Sequence, residues 1–133
     1  MKHNMKMWLD ELRSVRTKKS MPILSFPSVS LLGVTVREII SDSTLQARGM
    51  KAIVDRTDAA ASVSFMDLSV EAECFGAETS VSDNEVPTVS GRIVCDSDEA
   101  EALEIPAIGS GRTQIYIDAT PHNTLGCRWR EQW

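Results

Sequence analysis

The chain has 133 residues, 42% of them hydrophobic and 25% charged, with a net charge of −5. That is enough for one domain with a real core, and the composition is that of a soluble globular protein and not of a disordered one. The basic residues form no stripe, which excludes nucleic acid as a partner. No run approaches the ~20 apolar residues of a membrane span, and no signal-peptide core is present, so a cytoplasmic location is expected.

Apolar residues at Met5, Trp8, Leu9, Leu12 and Val15 are spaced for an amphipathic helix over Met5–Arg16. The basic cluster Arg13, Arg16, Lys18 and Lys19 that follows reads as a solvated helix end complementing the dipole. Pro22–Pro27 is a short apolar run between prolines and reads as a buried strand. Ser28–Gly33 reads as a turn or single helical turn ending at glycine. Thr35-Val36-Arg37-Glu38 matches a capping box, which predicts a helix over Val36–Ile40.

Ser41, Asp42 and Ser43 offer caps for a helix over Thr44–Thr57, with Lys51 and Asp55 paired on its exposed face. Gly49 inside that helix costs up to ~1 kcal/mol relative to alanine. A close helix–strand contact would explain it. A second strand is expected at Ala61–Met66, ending on Asp67, then a helical turn over Ser69–Phe75 stopped by Gly76. Ala77–Val81 and Thr88–Val94 read as a hairpin, Asp96–Leu103 as an acidic helix, and Glu104–Gly111 as a loop. Gly109–Gly111 is too short for a phosphate loop. Arg112–Ala119 can begin another helix, and 120–133 reads as an irregular tail. Strand, helix, strand in this order predicts an α/β fold with a parallel pair.

In such folds ligands bind beyond the carboxyl ends of the strands, where Asp67 lies. The same position suits an N-cap, and spacing leaves catalyst and cap both open. Glu71, four residues on, can lie near Asp67 and raise the pKa of one carboxyl of the pair. Glu73 points elsewhere on a helix and reads as a first-turn acid favoured by the dipole. Ser25, Phe26 and Ser28 share the rim with Asp67 if the two strands are parallel; otherwise they form a turn with self-bonded hydroxyls. His122 and Cys127 match no common zinc spacing, and His3 sits at the terminus, so no metal site is expected. Cys74, Cys95 and Cys127, odd in number and far apart, read as reduced thiols.

MKMWLDELRS, PILSFPS, GVTVREIISDSTLQARGMKAIVDR and DAAASVSFMDLSVEAECFGAETSVSDNEVPTV together resemble the N-terminal portion of the uroporphyrinogen decarboxylase superfamily, from about Lys6 to Ala119. The resemblance implies a (β/α)8 barrel. It also implies one of two activities. One branch decarboxylates the acetate side chains of uroporphyrinogen III in porphyrin biosynthesis, without a cofactor. Its aspartate at the end of the second strand binds pyrrole N–H groups, and Asp67 matches it. That branch carries an arginine-rich motif after the first strand, where this chain has Ser25-Phe26-Pro27-Ser28 and no arginine.

The other branch moves a methyl group from a methylated corrinoid protein to a thiol such as coenzyme M, or to a folate-type acceptor. MDLSVEAECFG resembles this branch more closely. The resemblance then implies Asp67 as the catalytic residue, and Ser25, Phe26, Ser28 and Glu71 as substrate contacts. It implies no cofactor in this chain, with zinc held in the full-length methyltransferase by ligands beyond residue 133.

A barrel of this kind needs ~250 residues. The chain is therefore expected to supply about two barrel strands over 1–119. The tail departs from the family pattern over 120–133, as from a natural truncation, a frameshift or an artificial boundary. Alone it is expected to be inactive, with open sheet edges prone to self-association.

Overall fold

The computed structural model describes residues 4–107 and 109–126, with the backbone alone over 120–126. Helix α1 (Met5–Ser14) is started by Asn4, whose side chain accepts from the N–H groups of Lys6 and Met7. The expected basic helix end is present: Lys18 Nζ donates to the carbonyls of Leu12 at 3.2 Å and Arg13 at 2.6 Å. No residue of α1 is buried, so its apolar stripe faces outward at Met5 and Leu9.

Helix α2 (Ser28–Leu32) ends at Gly33 in the left-handed region, φ 66°. Such a C-terminus favours glycine. Helix α3 (Val36–Ile40) has the capping box that its sequence predicts, Thr35 and Glu38 bonding each other's backbone N–H. Helix α4 (Ser43–Thr57) is capped by Asp42 and carries the Lys51–Asp55 pair at 2.5 Å. Helix α5 spans Ser69–Cys74, helix α6 spans Ser97–Ala102 behind the cap Asp96, and helix α7 spans Thr113–Gly126. Strands β1 (Glu78–Ser80) and β2 (Thr88–Ser90) form the expected antiparallel hairpin, Thr79 opposite Val89. The hairpin is clamped to α3: Val36 N–H donates to the Asp83 carbonyl at 2.9 Å, and Arg37 bonds the Asp83 carboxylate and the Val81 carbonyl.

The core gathers Val36, Ile39 and Ile40 of α3, Met50 of α4 and Phe65. Phe26 and Tyr116 meet the Phe65 ring edge-on, at 5.0 and 6.1 Å between centroids. Each such pair contributes ~0.5–1.5 kcal/mol beyond its buried area.

Three expectations need correction. Pro22–Leu24 and Ala61–Met66 hold no regular structure and pair in no ladder, and Ser25–Pro27 turns into α2, so among the described residues the only sheet is the hairpin. The two segments do run side by side in one direction. Ala60 N–H donates to the Ser20 carbonyl at 2.8 Å, and Ser25 Oγ donates to the Met66 carbonyl at 3.1 Å. Prolines 22 and 27 lack the N–H a ladder needs, and a two-stranded parallel pair is weak by itself. Secondly, the backbone is helical to Gly126, so the first seven residues of the expected irregular tail continue α7; residues 127–133, with Cys127, lie outside the described residues.

Thirdly, Gly49 meets a helix and not a strand. A Cβ there would lie 2.7 Å from Ser28 Oγ, 3.0 Å from Ser28 Cβ and 3.1 Å from Ile39 Cδ1. Ser28 is fully buried and its hydroxyl is bonded to the Ser25 carbonyl, so it has no room to yield. Overpacking of ~1–3 kcal/mol outweighs the helix gain of up to ~1 kcal/mol. Gly49→Ala should therefore lower stability by about 1 kcal/mol in urea unfolding; an increase would mean that α2 and α4 separate freely.

No helix among the described residues is long and apolar enough to cross a membrane.

Candidate functional site

The segment ending at Met66 delivers Asp67 to the start of α5. Leu68 holds the N-cap position and gives no side-chain bond. The two carboxylate oxygens of Asp67 divide their work. Oδ1 accepts from Ser69 N–H at 3.0 Å and Ser69 Oγ at 2.6 Å. Oδ2 accepts from Arg112 Nη1 at 2.8 Å and Tyr116 Oη at 2.7 Å. One oxygen therefore fastens the first turn of α5, and the other faces α7.

Arg112, immediately before α7, closes the cluster. Its Nε donates to Glu73 Oε2 at 2.6 Å and its Nη2 to Ser69 Oγ at 2.9 Å. Its side chain is 14% exposed, and that of Asp67 only 2%. Burial pushes the Asp67 carboxyl up, but the bonds from Ser69, Tyr116 and Arg112 outweigh it and hold the group below the ordinary carboxylate range. Burial opposes the Arg112 charge, and the Glu73 and Asp67 carboxylates more than restore it. Burial, then donation to Asp67, pushes the Tyr116 phenol well above its ordinary value. At neutral pH the set is one guanidinium, two carboxylates and a neutral phenol. It can bind donors and orient them; it holds no acidic proton to give.

Two clefts flank the cluster. One, of about 370 Å³, is bordered by Arg37, Ser41, Thr79 and Arg112. The other, of about 360 Å³, has Asp67 and Glu71 beside apolar walls from Met66, Leu68, Val70, Tyr116 and Ile117. Glu71 is exposed and, among the described residues, makes no hydrogen bond to Asp67. Ser25 and Ser28 are buried, with hydroxyls bonded to the Met66 and Ser25 carbonyls, and Phe26 packs on Phe65. The Ser25–Met66 bond does bring the ends of the two segments together. Among the described residues no three His, Cys, Asp or Glu side chains converge as a metal site would require. Cys74 and Cys95 are free thiols, and Cys74 bonds the Ser110 carbonyl at 3.1 Å.

Sequence reasoning missed Arg112, Tyr116, Ser69 and Glu73 as members of the cluster. Arg112 and Tyr116 stand four apart, hence on one helix face. A cation at a helix N-terminus opposes the dipole, which signals a partner elsewhere in the chain.

Two segments side by side, an acid at the end of the second, and helices between them fit an α/β barrel class. The chain belongs to the uroporphyrinogen decarboxylase family: the family model for uroporphyrinogen decarboxylase (URO-D) matches residues 25–122, well over half of the chain. Helix α1, with which the expected resemblance begins, precedes the matched span. Comparison with curated proteins and with solved structures gives no match.

Proposed function

We propose that the chain forms the opening part of a family barrel of the corrinoid-dependent methyltransferase branch, with Asp67 on its catalytic rim. The observation that carries this reading is the charge of that rim. Residues 25–28 bring no cation to it. The Arg112 guanidinium is already matched by Asp67 and Glu73. With Glu71 nearby, the surroundings of Asp67 are net negative. A substrate bearing several carboxylates would find repulsion at Asp67, and the guanidiniums of the flanking cleft, Arg112 and Arg37, are already matched by Asp67, Glu73 and Asp83. A methyl group passed from a corrinoid protein to a thiol or folate-type acceptor makes no such demand.

In this reading Asp67 stays ionised and orients donor groups, while the apolar cleft wall excludes water. In the methyltransferase branch a zinc ion would hold the thiol as a thiolate, with ligands expected beyond residue 133.

A second reading, that the chain is silent alone, is favoured by its open apolar side chains. Ile23, in the first of the two segments, is 60% exposed, and Leu68, next to Asp67 at the start of α5, is 82% exposed. Such a face favours self-association.

A two-arm assay tests both readings. A full-length barrel that contains this chain is given a methylated corrinoid protein with coenzyme M, and separately uroporphyrinogen III, and the chain alone is taken through the same two arms. Loss of the methylcorrinoid absorbance with loss of free thiol is the expected result. Coproporphyrinogen in the second arm would overturn the methyltransferase reading. No turnover by the chain alone in either arm, with a self-associated species in sedimentation, is the result of the second reading.

A further inference from the structure

Two parts of the molecule have regular structure and bury nothing. Helix α1 is 10 residues long, and none of them is buried. A helix shorter than ~12–15 residues is marginal in water unless one face is packed. Its apolar stripe is nonetheless regular: Met5, 58% exposed, Leu9, 43% exposed, and the half-buried Leu12 follow at helical spacing. The second part is residues 84–105, beyond the Asp83 clamp to α3, with β2 and α6. It too contains no buried residue. Exposed apolar side chains recur along it at Val86, Val89, Ile93, Leu103 and Ile105. Ordering a backbone costs conformational entropy that burial normally offsets. The β1–β2 pairing and the Asp96 cap are small returns for so long a stretch.

The charges of the two parts are opposite. Residues 6–19 hold five bases and two acids, in a chain whose net charge is −5. Residues 84–105 hold six acids and one base, Arg92. Lys18 and Lys19 are tied to the end of α1 and to Asp58, which leaves Lys6, Arg13 and Arg16 to meet another surface. Lys6 and Arg13 stand seven apart, two helical turns, and so flank one edge of the stripe. The contact of Arg13 with Asp10, 3.5 Å long and well exposed, holds it weakly. On the acidic part, Glu101 and Glu104 flank Leu103, and all three are exposed. Each part therefore offers an apolar surface edged by the charge that the other lacks.

We propose that α1 of one chain docks on the 84–105 surface of a second copy, its apolar stripe on the exposed apolar side chains and its bases beside the acids. The two surfaces differ, so a twofold pair of chains makes the contact twice and closes as a dimer. Helix α1 precedes the matched family span, and the cluster at Asp67 takes no part. The dimer thus stands apart from the proposed activity, and its surface is not the Ile23 and Leu68 face.

Sedimentation of the full chain tests the proposal. The expected result is a reversible dimer that weakens about tenfold as salt approaches ~1 M, where the screening length falls to ~3 Å. Lys6→Glu with Arg13→Glu should give a monomer, and so should Glu101→Lys with Glu104→Lys. The lysines lie at or past the C-terminal end of α6, where a cation suits the helix dipole. Mixing the two double variants should restore a dimer, because both contacts are then between opposite charges again. A wild-type monomer, or a dimer that neither pair of reversals weakens, would overturn the proposal. So would a dimer that survives both reversals and is lost in Ile23→Ser with Leu68→Ser; that result would leave the second functional reading standing. Should a variant unfold by circular dichroism, the wild-type chain decides: association that salt does not weaken overturns the proposal.

Discussion

Replacing Arg112 with methionine should lower the unfolding free energy by about 3–5 kcal/mol, the usual cost of breaking a buried ion pair by removing one partner. The guanidinium is the link among Asp67, Ser69 and Glu73. Without it Asp67 is left ionised and nearly inaccessible, with a side chain 2% exposed. Glu73, at 27%, can turn to water, which places the effect toward the lower end. Urea unfolding of the variant measures the loss. Adding Asp67→Asn to Arg112→Met should return part of it, since the stranded charge is then gone; strictly additive losses would mean that the two groups do not interact.

The pH dependence has a definite sign. The folded carboxyl of Asp67 is held below its ordinary value, so between the two pKa values the unfolded chain binds the extra proton. The contribution of Asp67 is therefore full above the ordinary carboxylate range, and it is lost as pH falls through that range toward the folded pKa. Arg112→Met should weaken this acid-sensitive contribution.

Gln46→Met should act in the opposite direction and stabilise the protein by about 1–3 kcal/mol, the penalty of a buried polar group left without a partner. Gln46 is fully buried on the inner face of α4, and among the described residues neither its Oε1 nor its Nε2 has a hydrogen-bond partner. Methionine has a similar length, a similar helix propensity and no amide to satisfy. Thermal unfolding reads the change as a higher midpoint. A lower midpoint would show that an internal water satisfies the amide.

The local parts of this fold were legible because their causes are local. The Thr35–Glu38 box, the caps at Asp42 and Asp96 and the Gly33 stop each depend on residues within about one turn of each other. The Lys51–Asp55 pair is of the same kind. The two segments read as strands pair in no ladder, because whether a ladder forms depends on neighbours the periodicity does not reveal. The site was half legible. Asp67 stood out by its position, yet its partners Arg112 and Tyr116 lie 45 and 49 residues away. Spacing correctly separated Glu71 from Glu73, but favoured Glu71 as the companion of Asp67. Glu73 is the one that shares a guanidinium with it, because Ser69 and Glu73, four apart, lie on the helix face that meets Arg112.

The separation of 45 residues between Asp67 and Arg112 has a bearing on how the chain acquires its structure. Everything from 68 to 111, with α5, the hairpin and α6, is an excursion that leaves and returns to one point. Closing a loop of that size costs about 3–4 kcal/mol of chain entropy, comparable to what the ionic cluster contributes. The knot of charges then works as a clasp. It holds the two ends of the excursion together, while Arg37 separately fastens the hairpin inside it to α3.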